Sequence, residues 1–188
     1  MNIGLFFGSF NPIHIGHLII ANVMTSHADR VWFVVSPQNP FKKNKSLLHE
    51  FDRYEMVEKA IQDNHLFQVT DVEFGMPRPS YTIDTLTYLS EKYPQHKFKL
   101  IIGSDNLSQF NKWKNAQVIL DIYGLLVYPR PGAESSDLPK HPNVTVVEAP
   151  LLNISASYIR ESVRQGKSIR YMVPEVVARH IEKQGYYL

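Results

Sequence analysis

Six short apolar runs, rich in β-branched and aromatic residues, recur along the chain, and longer segments with apolar positions spaced by three and four lie between them. The runs are "NIGLFFG" (2–8), "RVWFVVSP" (30–37), "FQVTDVEF" (67–74), "KFKLIIGSD" (97–105), "YGLLVYP" (123–129) and "VTVVEAP" (144–150). The segments of helical period are "HLIIANVMTSHA" (17–28), "EFDRYEMVEKAIQDN" (50–64), "YTIDTLTYLSEKY" (81–93) and "LSQFNKWKNAQVILDI" (107–122). Two further helices are predicted near the C-terminus. "SASYIRESVRQG" (155–166) starts on serine caps and stops at Gly166, and "PEVVARHIEKQG" (174–185) has Pro174 in its first position and Gly185 beyond its last. Short apolar strands alternating with amphipathic helices predict an α/β fold. Its expected form is Rossmann-like and doubly wound: a mainly parallel sheet with helices on both faces and a C-terminal helical part.

The chain has 188 residues, 44% of them hydrophobic, enough for one sizeable core. Only "PRPGAESSDLPKHPN" (129–143) has the composition of a linker. About 45 residues follow it, near the lower limit for an independent core, so it is expected to be a loop within a single domain spanning 1–188. The net charge is +2, from 20 Lys and Arg against 18 Asp and Glu. That is too small to coat a nucleic acid, so any basic chemistry must be local. With no cysteine, disulfides, thiolate metal sites and a thiol nucleophile are excluded. The start, "MNIGLFFGSFNP", lacks a basic leader and breaks at Gly8, and no apolar run approaches the length that spans a bilayer. The expectation is a cytoplasmic protein without nucleic-acid or membrane partners, for which a homo-oligomer stays open.

Each predicted strand runs directly into a polar or Gly/Pro-rich stretch: "GSFNPIHIGH", "SPQNPFKKNK", "GMPRPSYT", "GSDNL", "PRPG" and "LLNISAS". In an open parallel sheet the carboxyl ends of the strands share one edge, and ligands bind where the strand order reverses. These stretches should therefore meet at one crevice. In the first, His14 and His17 stand three apart at a helix start and share a face. A helix N-terminus offers amide donors and a positive dipole end, which suits phosphate; Gly16 lets the backbone approach. Two surface histidines near a cap are the ordinary alternative, and a zinc site lacks a third ligand at useful spacing. In the last stretch, Ser155 and Ser157 can cap the helix and hold phosphate oxygens. Arg160 follows one turn on, where it opposes the helix dipole unless an anion offsets it. Lys42, in "FKKNK" (41–45), could embrace a triphosphate or be a solvated basic residue. Gly103 permits close approach, Asp105 could accept from ribose hydroxyls or cap a helix, and Trp113 could stack on a planar ring or belong to the core.

The letters His14-Ile15-Gly16-His17 also mark the ATP site of class I aminoacyl-tRNA synthetases, but 188 residues leave no room for a tRNA-binding part. Taken together, "GSFNPIHIGH", "PSYTIDTL", "IIGSDNL", Trp113, "RPG" and "ISASYIR" resemble the nicotinate-nucleotide adenylyltransferases, a family of the class I-like nucleotidyltransferase superfamily distantly related to those synthetases. The resemblance implies attack of the 5′-phosphate of nicotinate mononucleotide on the α-phosphorus of ATP, giving the dinucleotide and pyrophosphate in NAD biosynthesis. Mg²⁺ would assist, no dedicated protein metal site is expected, and no covalent enzyme intermediate is implied. The alternative acceptors are nicotinamide mononucleotide and phosphopantetheine. The resemblance assigns catalysis to His14, His17 and Arg160. It assigns ATP binding to Gly8, Ser9, Phe10, Gly16, Lys42, Gly103, Asp105, Ile154, Ser155 and Ser157, and acceptor binding to Thr82, Trp113 and Arg130. Four positions depart from the usual pattern: Phe7 replaces a second Gly, Asn11 an Asp, Phe41 a His, and Lys114 an aromatic.

Overall fold

The computed structural model describes residues 1–37, 47–132, 138–150 and 152–188. Six strands form one parallel sheet in the order β3-β2-β1-β4-β5-β6: β1 (Asn2–Gly8), β2 (Arg30–Val35), β3 (Phe67–Thr70), β4 (Lys97–Gly103), β5 (Leu125–Tyr128) and β6 (Val144–Val146). The chain builds outward from β1 to β3, returns to the middle for β4, and then builds the other way. The order reverses between β1 and β4, the arrangement that opens a crevice above neighbouring strand ends. Expectation and structure agree on the α/β Rossmann-like class.

The strands are apolar on both sides because both sides are covered. Phe6, Phe33, Ile101 and Leu126 face a layer that includes Ile20 and Met24 of α1 (Ile15–Met24) and Met56 and Val57 of α2 (Glu50–Ile61). The C-terminal helices α5 (Ala156–Arg164) and α6 (Glu175–Gln184) join that layer through Ile159, Val177 and Ile181. Ile3, Leu5, Trp32, Val34, Leu100 and Ile102 point the other way, onto Ile83, Leu86 and Leu89 of α3 (Thr82–Lys92). Phe7 also packs there, a structural use for the side chain where a glycine is usual.

Three elements are shorter or more broken than periodicity predicts. The expected helix over 107–122 is a 3-10 segment, Ser104–Lys112, followed by a break and the short α4 (Ala116–Val118), which passes into a π turn over Ile119–Tyr123. Trp113 leaves the helix in an extended conformation and packs beside Phe110, with ring centroids 5.4 Å apart. Asn115 then takes a left-handed conformation, which its short polar side chain tolerates. The run 67–74 is a strand only to Thr70, and Val72–Gly75 curls into a 3-10 turn. There the buried Glu73 accepts a 2.8 Å bond from Thr85 Oγ1 on α3. The run 144–150 is an edge strand of only three residues.

Gly124 joins the π turn to β5 at φ +73°, and a Cβ there would lie 2.6 Å from the Asn143 carbonyl oxygen, which must stay to accept from Leu125 N–H at 2.8 Å. Gly124→Ala should destabilise the fold by about 2 kcal/mol or more, from the left-handed backbone and the clash together. Denaturant unfolding would measure it, and wild-type stability would mean that the β5–β6 junction gives way at little cost.

Candidate active site

The loop after β1 occupies the crevice edge. Gly8 ends the strand, Ser9 is exposed, and Phe10 turns through φ +46° to bury its ring to 1% exposure. That ring meets Phe6, Phe33 and His17 edge-on, at centroid distances of 5.9, 5.5 and 5.1 Å. Phe10, expected among the nucleotide-binding residues, thus points its side chain into the core and props His17 from below.

His14 caps α1 in an extended conformation, and its N–H donates to His17 Nδ1 at 3.2 Å. The two imidazoles stack, 3.7 Å between centroids and 23° between planes. Because His17 Nδ1 accepts, a neutral His17 carries its proton on Nε2, which becomes a donor for a ligand. Burial, and then Arg130, bring the His14 pKa down from 6.5 to about 4. Burial, then His14 and Arg130, hold His17 well below its usual value. Both rings are therefore neutral donors at neutral pH. His14 Nδ1 is buried without a hydrogen-bond partner. The first turn offers fewer free amides than expected: Ile15 N–H donates to Met172 O, and His17 N–H to His14 O, each at 2.9 Å.

One cleft brings together His14, Gly16, His17, Arg130 and Ile154, over a floor that includes Phe6, Ile20 and Tyr128. Pro129, Pro131, Pro150 and Leu152 complete its wall. Arg130 is exposed, its backbone N–H donates to Ser104 Oγ at 2.8 Å, and its guanidinium lies 5.4 Å from the Tyr128 ring centre. Its Nε stands 3.9 Å from Asp105 Oδ1. A Cβ on Gly103 would press on the Asp105 carboxylate and come within 3.0 Å of Arg130 Cγ, so this corner is open only with glycine there. Arg130, assigned by resemblance to the acceptor, stands on the histidine side.

Ser155 is the N-cap of α5 and accepts from Tyr158 N–H at 3.2 Å, as its spacing predicts. Arg160 does not project outward from the helix start. It is 8% exposed, Nη1 donates to Asn11 O at 2.7 Å, Nη2 donates to Ser157 Oγ at 3.2 Å, and Nε is buried unpaired. Asn11 Oδ1 accepts from Tyr187 Oη at 2.9 Å and from Leu48 N–H at 3.3 Å. Both donors are neutral, so an amide oxygen serves where the family usually has a carboxylate. Tyr128, Tyr187 and the buried Arg53 of α2 belong to this neighbourhood, yet no motif marks them in the sequence.

Thr82 and Trp113, expected on the acceptor side, are not among the residues that line the cleft. Thr82 opens α3 half-buried, and Trp113 is partly buried against the core. Lys114 links their segments: Nζ bonds both Asp84 carboxylate oxygens, at 2.9 and 2.8 Å, and lies 4.9 Å from the Tyr81 ring centre. Lys42 and Phe41 fall outside the described residues.

The cytidylyltransferase-like family model matches residues 5–162. A relative from Cytophaga hutchinsonii, named a probable nicotinate-nucleotide adenylyltransferase, is 62% identical, with 100% of this chain and 98% of the relative covered. One of the same name from Flavobacterium johnsoniae is 46% identical, covering 100% and 99%. Among solved structures, the Plasmodium falciparum nicotinic acid mononucleotide adenylyltransferase complexed with APC superposes with a TM-score of 0.82 at 20% identity, covering 99% of this chain and 96% of that one. The same enzyme complexed with NaAD gives 0.81 at 20% identity over 99% and 97%. The structural likeness confirms the fold, and the close relatives decide the rest: the chain belongs to the nicotinate-nucleotide adenylyltransferase family of cytidylyltransferase-like proteins.

Proposed function

We propose that the protein transfers the adenylyl group of ATP to nicotinate mononucleotide, releasing pyrophosphate. The observation that carries the reading is the stacked pair His14 and His17, set with Arg130 in one cleft at the strand-order reversal of a family member. An oxygen of the acceptor's 5′-phosphate attacks the α-phosphorus, and the bond from that phosphorus to the bridging oxygen of the β-phosphate breaks. Charge then grows on the leaving pyrophosphate. No group on the protein becomes covalently attached, so the catalytic task is alignment and charge stabilisation.

The neutral His17 Nε2–H and the His14 ring would donate to phosphate oxygens, and Arg130 would supply a full positive charge beside them. Ser155 and Ser157 would approach the phosphates from the start of α5. Gly103 and Asp105 would meet the adenosine, with Gly8, Ser9, Phe10, Gly16 and Ile154 shaping the nucleotide site through backbone and walls. Lys42 belongs with the triphosphate by resemblance. Mg²⁺ would come with ATP as its phosphate complex, since the ion favours phosphate oxygens and keeps several waters. Thr82 and Trp113 would receive the acceptor: an aromatic face for the pyridine ring, and amide donors that bond an anionic carboxylate more strongly than a neutral carboxamide.

The first test is pyrophosphate release with ATP and Mg²⁺, offering nicotinate mononucleotide, nicotinamide mononucleotide and phosphopantetheine in parallel. Release with the first alone is expected; preference for either of the others would overturn the acceptor assignment. His17→Ala should lower kcat by roughly 100-fold or more with the fold intact, the scale of losing a preorganised donor to developing charge. Normal turnover by that variant would remove the histidines from the chemistry. Titration of the imidazole resonances by NMR should show no His14 protonation near 6.5 in the free protein, its midpoint lying at about 4. The sign follows from the lowered pKa. Folding favours the neutral ring, so its contribution to stability is complete above 6.5 and is lost as pH falls toward 4. Added ATP should shift that midpoint upward, because a polyanion favours the protonated ring; a midpoint near 6.5 without ligand would contradict the buried, stacked geometry.

A further inference from the structure

Arg53 lies on α2, and its side chain is fully buried, at 0% exposure. Its guanidinium bonds four main-chain oxygens: Nε donates to Leu48 O at 2.9 Å, Nη1 to Ser9 O at 2.6 Å and to Ser36 O at 2.8 Å, and Nη2 to Pro37 O at 3.0 Å. Among the described residues it forms no ion pair with a carboxylate; the ion pairs of α2 belong to Glu50, Glu55 and Lys59. A buried cation with only carbonyl partners costs desolvation energy that a neutral side chain would avoid. Fold stability alone is a poor reason for such a group.

Its place in the sheet suggests another reason. β1 and β2 pair in register up to Gly8 and Val35, and the last ladder bond runs from Ser36 N–H to Gly8 O at 2.9 Å. One residue beyond lie the carbonyls of Ser9 and Ser36, and among the described residues no backbone bond joins the two segments there. Nη1 of Arg53 bridges that place and holds Ser9 O and Ser36 O together. Five residues after Ser9 comes His14. The planar five-donor fork of arginine fits diverging carbonyls, whereas a lysine ammonium offers the charge without that geometry.

We propose that Arg53 is a positioning residue for the phosphate-binding step: by clamping the diverging ends of β1 and β2 it fixes the loop that places His14 and His17 in the cleft. The proposal rests on the adenylyl-transfer reading above. It does not make Arg53 a substrate contact. A ~1 Å shift of the loop is enough to lower turnover by one to two orders of magnitude.

The test compares the wild-type protein with Arg53→Lys and Arg53→Ala. Unfolding midpoints come first, then kcat and both KM values at a temperature where each protein is folded, and the Kd of α,β-methylene-ATP by calorimetry. The expected result for Arg53→Lys is a folded protein with kcat lowered roughly 10- to 100-fold, weaker binding of the ATP analogue, and an acceptor KM changed less than about 3-fold. Millimolar guanidinium should restore part of the activity of Arg53→Ala in a saturable way, while equal sodium chloride should not. A folded Arg53→Lys variant with wild-type kcat and analogue affinity overturns the proposal, as does one that cannot fold, because the residue would then serve stability alone. A wild-type protein inactive with nicotinate mononucleotide would instead overturn the adenylyl-transfer reading, and the analogue affinities would still decide the role of Arg53.

Discussion

Three donors from distant parts of the sequence grip the backbone and side chain of a three-residue stretch, and the geometry of the cleft depends on that grip. Arg53 holds the Ser9 carbonyl, Arg160 holds the Asn11 carbonyl, and Tyr187 holds the Asn11 amide oxygen. The cap of helix α1, His14, comes three residues after Asn11, so a movement of this stretch is passed on to the histidine pair. A loop leaving a parallel strand has no ladder partner of its own, and its backbone oxygens must find donors elsewhere. Here charged and phenolic donors from the C-terminal helical layer and from α2 supply them.

The electrostatics follow from the same arrangement. Burial keeps both imidazoles neutral, while the two buried guanidinium groups bond carbonyls rather than carboxylates. The two buried guanidinium groups therefore bring positive charge to the region, where Asp105 stands 3.9 Å from Arg130 on the rim, although the whole chain is nearly balanced at +2. A low-dielectric pocket strengthens every bond to an entering polyanion. A chain of modest net charge can serve phosphates in this way, with its basic groups concentrated at one strand edge.

Much of this was legible beforehand, and the failures have physical causes. The strands were readable because both faces of the sheet are covered, so each strand is a nearly continuous apolar run. The reversal of strand order was not visible, but the class of fold that has one was. The Ser155 cap and the pairing of His14 with His17 followed from local spacing, which is all that a cap or one helical turn requires. The helix over 107–122 misled because Leu107, Phe110, Ile119 and Leu120 do face one core, while Trp113 and Asn115 break the backbone between them. Arg53, the target of Arg160 and the role of Tyr187 are long-range facts, and nothing within a window of the sequence announces a bond between residues 44, 149 or 176 positions apart. Thr82 and Trp113 were assigned by resemblance alone, and the structure adds the Lys114–Asp84 tie that draws their segments together.

The bond from Tyr187 to Asn11 also bears on the order of assembly. Its two ends are separated by 176 positions, so it closes only after the sheet and the C-terminal layer have come together. During synthesis the segment that carries the histidines, at the start of α1, leaves the ribosome early, while the hydroxyl that steadies the loop before it arrives more than a hundred residues later. The sheet can acquire its order before the cleft acquires its shape, and the competence of the cleft thereby reports that the far end of the chain has docked.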